Sequence, residues 1–135
     1  MSLLVNIDVP DLAAGVAFYT GAFGLRVGRR FGGEVVELTG WPAPVYLLRK
    51  TDGTVGAGDS RRSYARHWTP VHLDVVVDDI DTALQRATAA GAVAEGGIRT
   101  AAWGRLAPLA DPFGHGLCLI QFLNRGYDEI ADPPA

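Results

Sequence analysis

Two stretches of this chain repeat one another at an offset of 68 residues, and the repeat restricts the fold more than any other feature. Leu3 to Val9 alternates, with Leu3, Val5, Ile7 and Val9 on one face and Leu4, Asn6 and Asp8 on the other. Val71 to Val77 does the same, with Val71, Leu73, Val75 and Val77 opposed to His72, Asp74 and Val76. Each pattern predicts a strand with one face in a core and the other partly polar. Asp11 and Asp79 then stand where a helix N-cap belongs, their carboxylates suited to the first free backbone N–H groups. Leu12, Val16, Tyr19 and Phe23 recur at helical spacing after the first strand, as do Ile80, Leu84 and Ala87 after the second. Gly24 and Gly91 suit the left-handed residue that closes a helix. The offset lays Asp11 over Asp79, Leu12 over Ile80, Val5 over Leu73 and Leu4 over His72.

Shorter strand-like pieces follow each helix: 26–31, 34–39 and 45–49 in the first half, and 93–95, 105–110 and 116–123 in the second. Gly32-Gly33 and Asp111-Pro-Phe-Gly114 supply turn chemistry between them. Each half therefore reads as strand, helix and three strands, an α+β pattern. The modules span 1–50 and 71–125, with a tail at 126–135. Residues 51–70, carrying Gly53, Gly56, Gly58 and Ser60, read as a linker or as a lid over a site.

With 135 residues the chain has room for one domain, and 48% apolar against 20% charged residues is the balance of a globular protein. The single cysteine, Cys118, has no partner for an internal disulfide. A net charge of −3 carries no clustered positive field, so no nucleic-acid partner is expected. Arg61, Arg62 and Arg66 read as a solvated loop. The N-terminus lacks a basic signal-like region, and 117–123 is far shorter than the ~20 residues that span a bilayer. A cytoplasmic location without membrane contact is the expectation. Neither a phosphate-binding glycine loop nor a serine nucleophile elbow is present.

Phe18-Tyr19 with Phe23-Gly24-Leu25, Val71-His72-Leu73-Asp74-Val75, Ala-Ala-Gly-Ala at 89–92 and the Asp111-Pro-Phe-Gly-His115 turn occur in a characteristic order. In that order the chain resembles the glyoxalase / bleomycin-resistance / dioxygenase group, the vicinal oxygen chelate superfamily, from Leu3 to about Phe122. The resemblance implies two βαβββ modules pairing into a cup-shaped mixed sheet, with ligands held in the cup and homodimers common. It also implies four inward positions that hold a divalent metal in metal-dependent members, here Leu4, Leu47, His72 and Cys118. Leu4 and Leu47 carry no donor and Cys118 replaces the usual donor, so the expectation is no metal and no other cofactor. A rearranged site drawing on Glu34, Glu37, His67 or His115 stays open.

Within the cup, His72 and Asp74 are the candidate acid–base pair, since a carboxylate two residues away on the same face can orient an imidazole. Asn6 and Asp8 occupy the matching face of the first strand and extend this polar cluster. Trp41 and Trp103, at loop-to-strand junctions, are candidate rim residues or ordinary packing. Arg49 and Arg105 are candidates for clamping an anion, or are simply solvated. Cys118, flanked by Leu117, Leu119 and Ile120, reads as part of a strand buried on both faces, with an inert thiol or a ligand contact. Two functions follow. One is metal-independent binding of a small, antibiotic-like molecule. The other is a lyase, isomerase or dioxygenase that works through an atypical metal site or through His72 and Asp74.

Overall fold

The computed structural model describes residues 1–134, so of the tail only Ala135 lies outside the described residues. The first module comprises β1 (Val5–Val9), α1 (Leu12–Phe23), β2 (Arg26–Phe31), β3 (Val35–Thr39) and β4 (Val45–Arg49). A small hairpin, β5 (Val55–Ala57) and β6 (Ser60–Arg61), follows. The second module comprises β7 (Leu73–Val76), α2 (Ile80–Ala89), β8 (Val93–Ala94), β9 (Arg99–Ala101), β10 (Gly104–Ala110) and β11 (Gly116–Phe122). A 3₁₀ turn at Gly126–Glu129 closes the chain. Among the described residues no helix is long and apolar enough to cross a membrane.

The repeat extends to topology. The sheets run β1-β4-β3-β2 and β7-β11-β10-β8, with β9 added to β10, and the first strand of each module pairs in parallel with the last. A parallel neighbour requires a crossover, which α1 and α2 begin. Both caps form: the Asp11 carboxylate accepts the Ala14 N–H at 2.9 Å, and Asp79 accepts those of Asp81 and Thr82. Gly24 closes α1 at φ 68°, its N–H returning to the Thr20 carbonyl. Two elements lack a signal in the sequence. The β5–β6 hairpin sits in the glycine-rich connection, and β9 is too short to show alternation and exists by pairing Thr100 with Arg105.

One core serves both modules. Val9, Phe18, Val36, Leu38 and Leu47 from the first meet Ile80, Leu109, Phe113, Leu117 and Leu119 from the second. The buried face of α1 is Gly15, Phe18, Tyr19 and Ala22, with Leu12, Val16 and Phe23 only partly covered. The face is rotated from the one predicted because α1 packs on a sheet below and on the other module beside it. Phe18 meets Phe113 edge to face at 6.4 Å, and the Arg86 Nε of α2 donates to the Gly21 carbonyl at 2.7 Å.

Deepest in this junction, the Tyr19 hydroxyl donates to Asp111 Oδ2 at 2.6 Å, both residues being 2% exposed. The other carboxylate oxygen accepts the N–H groups of Phe113 and His115, which folds the Asp-Pro-Phe-Gly turn around the carboxylate. Burial, reinforced by Asp111, pushes the Tyr19 phenol well above its ordinary range. A buried carboxylate stripped of one donor retains its desolvation cost without the compensating bond. Tyr19→Phe should therefore destabilise the protein by about 1–3 kcal/mol in urea unfolding. A loss within error of zero would show that water replaces the phenol and that the bond does not join the modules.

Candidate functional site

The polar candidates lie on the sheet faces turned away from α1 and α2. Register decides which side chains reach them. Asn6 pairs with Tyr46 and Ile7 with Leu47, while Val45 and Leu47 are fully buried beneath α1. Leu47 is therefore not an inward position, which corrects the sequence reading; Tyr46 is. A slip of one residue along a strand moves every side chain to the opposite face. Leu48 breaks the alternation of 45–49, so the parity follows from the pairing with β1 and not from the local pattern.

The Tyr46 hydroxyl is already engaged. It donates to Glu37 Oε2 at 2.7 Å and accepts from Arg29 Nη2 at 3.1 Å. Arg29 also grips Glu37 through Nε, Nη2 and its backbone N–H, and its guanidinium lies 5.6 Å from the Phe31 ring centre. These donors hold the Glu37 carboxyl at about 2, with Arg29 the larger cause and Tyr46 the next. The Tyr46–Glu37–Arg29 group is thus self-neutralised, and Leu4 carries no donor.

In the second module His72 and Asp74 project together, His72 Nε2 lying 3.4 Å from Asp74 Oδ1. Cys118 stands beside Asp74 in the β7–β11 register. Single ligand atoms of His72, Asp74 and Cys118 all lie within 4.8 Å of one another. The strand around Cys118 is not uniformly buried: Leu117 and Leu119 enter the core, whereas Cys118 is half-buried on the opposite face. Burial, then the Asp74 carboxylate, pushes its thiol above the ordinary range. Trp68 packs its ring 5.3 Å from that of His72.

The wider polar cluster divides. Asp8 pairs with Arg62 Nε at 2.7 Å, its backbone carbonyl lies 2.7 Å from His115 Nε2, and Asn6 is exposed. A carbonyl only accepts, so His115 Nε2–H is the donor in this contact. Glu34 is taken by Arg49 and His67 faces the Ala65 carbonyl, so those residues build no alternative centre. Arg49 and Arg105 do not form a clamp. Arg49 shares the helix-side face with Leu47 and pairs with Glu34; Arg105 lies opposite Gln121 and pairs with Asp81 of α2 at 2.7 Å. Trp103 packs with Phe122 and Tyr127, where the tail folds back.

Trp41 packs on Phe23 at 5.3 Å and forms one wall of a cleft of about 420 Å³ along the seam between the edge strands β1 and β7. Leu3, Val5 and Trp41 line one side and Leu73, Asp74 and Val76 the other. Residues missed in the sequence come from the connection between modules. Arg66 forks onto Glu95 at 2.7 and 2.8 Å and lies against Gly116, where any side chain would collide with the guanidinium. Tyr64 donates to the Lys50 carbonyl and meets the His115 ring. Arg61 is solvent-exposed as expected, whereas Arg62 and Arg66 pair with Asp8 and Glu95, partners distant in sequence.

Glu37 sets an acid limit. A carboxyl whose folded value is lowered from 4.5 to about 2 stabilises the fold above pH 4.5 and loses that contribution as pH falls through about 2. Glu37→Gln should be less stable than the parent at pH 7, and the two urea midpoints should converge towards pH 2. A difference that stays constant across this range would assign the effect to packing.

The comparisons agree with this geometry. A relative in Mycobacterium bovis, itself uncharacterized, is 30% identical over 135 residues, spanning 89% of this chain and 82% of its own length. The crystal structure of TioX from Micromonospora sp. ML1 superposes with a TM-score of 0.69 at 22% identity, covering 91% of this chain and 99% of that one. The fosfomycin resistance protein FosX from Listeria monocytogenes gives 0.69 at 17% identity, covering 91% and 93%. The glyoxalase-like domain model matches residues 4–120. With its doubled β-α-β topology and this match over most of its length, the chain belongs to the glyoxalase-like domain family.

Proposed function

We propose that this protein binds a small molecule in the cleft between β1 and β7, without the two-module metal centre associated with its fold. The donor chemistry argues against that centre. Of the four inward positions, Leu4 has no donor and the Tyr46 hydroxyl is held between Glu37 and Arg29, leaving only His72 and Cys118. An octahedral cation shared between modules does not fit that set.

The observation that carries the binding reading is the cleft itself. Its volume of about 420 Å³ falls in the range of small-molecule sites, and its lining is apolar apart from the Asp74 carboxylate. Apolar walls with one carboxylate favour a ligand with a hydrophobic or aromatic body and a single amine or hydroxyl group. An antibiotic-like natural product has that chemistry. A homodimer belongs to the same reading, since Trp68 and Val71 are 68% and 84% exposed near the β7 edge.

A second reading rests on the 3.4 Å contact between His72 and Asp74. In it, Asp74 orients the imidazole and His72 moves a proton next to a substrate carbonyl, as in a lyase or isomerase. His72→Ala would then remove turnover while leaving ligand affinity within about twofold.

Titrating cationic aromatic natural products with chelator present, and following tryptophan fluorescence, tests the binding reading. A saturable response should appear, vanish in Trp41→Phe, persist in Trp103→Phe, and weaken about tenfold or more in Asp74→Asn. No response across such a panel, or one that survives Trp41→Phe, would reject the cleft as the site.

A further inference from the structure

The geometry points to a metal site built by the second module alone, holding a zinc-type cation on His72, Asp74 and Cys118. It shares the Asp74 carboxylate with the cleft but does not rest on the cleft reading, and it differs in kind from a centre shared by two modules. Its third donor, Asp74, is none of the four inward positions.

Three observations converge. First, the donor atoms already lie together, all within 4.8 Å of one another, with His72 Nε2 and Asp74 Oδ1 at 3.4 Å. The edges of a tetrahedron with zinc-to-ligand bonds of about 2.0–2.3 Å are roughly 3.3–3.8 Å, so the closest pair is already in range. Second, the backbone fixes the arrangement. Asp74 lies on β7, Cys118 is its register partner on β11, and His72 is the residue immediately before β7, so two of the donors are fixed by strand pairing and the third adjoins the strand. Third, both neighbouring hollows border the cluster: His72 and Cys118 line a cavity of about 30 Å³ that the Arg66–Glu95 pair also walls, and Asp74 lines the larger cleft, so the three donors sit between two openings.

The donor types select the metal. One imidazole nitrogen, one carboxylate oxygen and one thiolate sulfur suit a borderline cation in tetrahedral geometry, Zn²⁺ or its probe Co²⁺. Hard octahedral ions such as Mg²⁺ want oxygen throughout. Binding releases the thiol proton to solvent and leaves the sulfur as thiolate. With neutral imidazole, the two anionic donors balance a divalent charge. Arg66, the cation that reaches this face from the connection, is occupied by Glu95 and does not compete. His72 and Asp74 keep 32% and 40% of their side-chain surface exposed, so a fourth position faces solvent. Three protein donors with an open fourth position are the pattern of a zinc site that accepts water or a ligand atom.

Co²⁺ titration of the intact, chelator-stripped protein tests the site directly. One Co²⁺ per chain should give a thiolate-to-metal charge-transfer band with the intense visible bands of tetrahedral cobalt, and one equivalent of Zn²⁺ should bleach both. Cys118→Ser should abolish the charge-transfer band. His72→Ala and Asp74→Asn, at exposed positions that leave the core closed, should each weaken binding about tenfold or more. A featureless or weak octahedral spectrum, or a charge-transfer band that persists in Cys118→Ser, would overturn the site. Because the cleft titration is performed in chelator, its failure and the failure of this site are separate results.

Discussion

The Tyr19–Asp111 hydrogen bond is the constraint on which the rest of the arrangement depends. Neither module can close a core alone, because each presents one sheet and one helix, and the apolar surface of α1 exceeds what its own sheet covers. Placing Tyr19 against the second module solves the packing problem but buries a phenol and a carboxylate. The Asp-Pro-Phe-Gly turn solves the polar problem, since Asp111 accepts Tyr19 on one oxygen and two backbone N–H groups on the other. That turn is also the entry to β11. A bond between modules thereby sets where β11 begins, and the start of β11 sets Cys118 beside Asp74.

The two modules share topology and differ in chemistry at equivalent places. The 68-residue offset carries Asn6 onto Asp74, and the strand registers then make Tyr46 the counterpart of Cys118. In the first module that position is locked into a hydrogen-bonded triad with Glu37 and Arg29. In the second it faces a histidine and a carboxylate that have no strong partner but each other. Duplicated backbone with divergent side chains is how one fold supports unrelated functions, so fold membership alone does not assign the reaction.

Much of the fold was legible because it is written in short-range patterns. The alternation of 3–9 and 71–77, the Asp11 and Asp79 caps and the Gly24 stop are all local signals, and each corresponds to an element boundary within a residue or two. Strand parity was not legible in 45–49. Leu47 is apolar between two other bulky residues, and only its pairing with Ile7 shows that it faces α1. Arg62, Arg66 and Trp68 were hidden for a different reason. They sit in a segment whose composition resembles a solvated linker, and their roles arise from partners 54, 29 and 4 residues away. Salt-bridge partners 54 and 29 residues away follow from topology, which the local sequence does not encode; the Trp68–His72 contact is local, but nothing in the alternation of 71–77 extends to it.

Charge pairing separates the carboxylates of the two modules. Asp8 is matched by Arg62, Glu37 by Arg29 and Glu95 by Arg66, each through guanidinium contacts between 2.6 and 2.7 Å. An arginine stays protonated at any physiological pH, so those three carboxylates are neutralised permanently and compete poorly for a ligand cation. Asp74 is matched only by His72, whose charge is conditional. Its negative potential therefore persists at the border between the apolar cleft and the Cys118 thiol. A cationic group entering the cleft and a metal ion entering the triad would both be drawn to the same carboxylate, from opposite sides. Occupancy of one must then alter the affinity of the other, and by the same factor in both directions, because a coupling free energy between two sites is reciprocal.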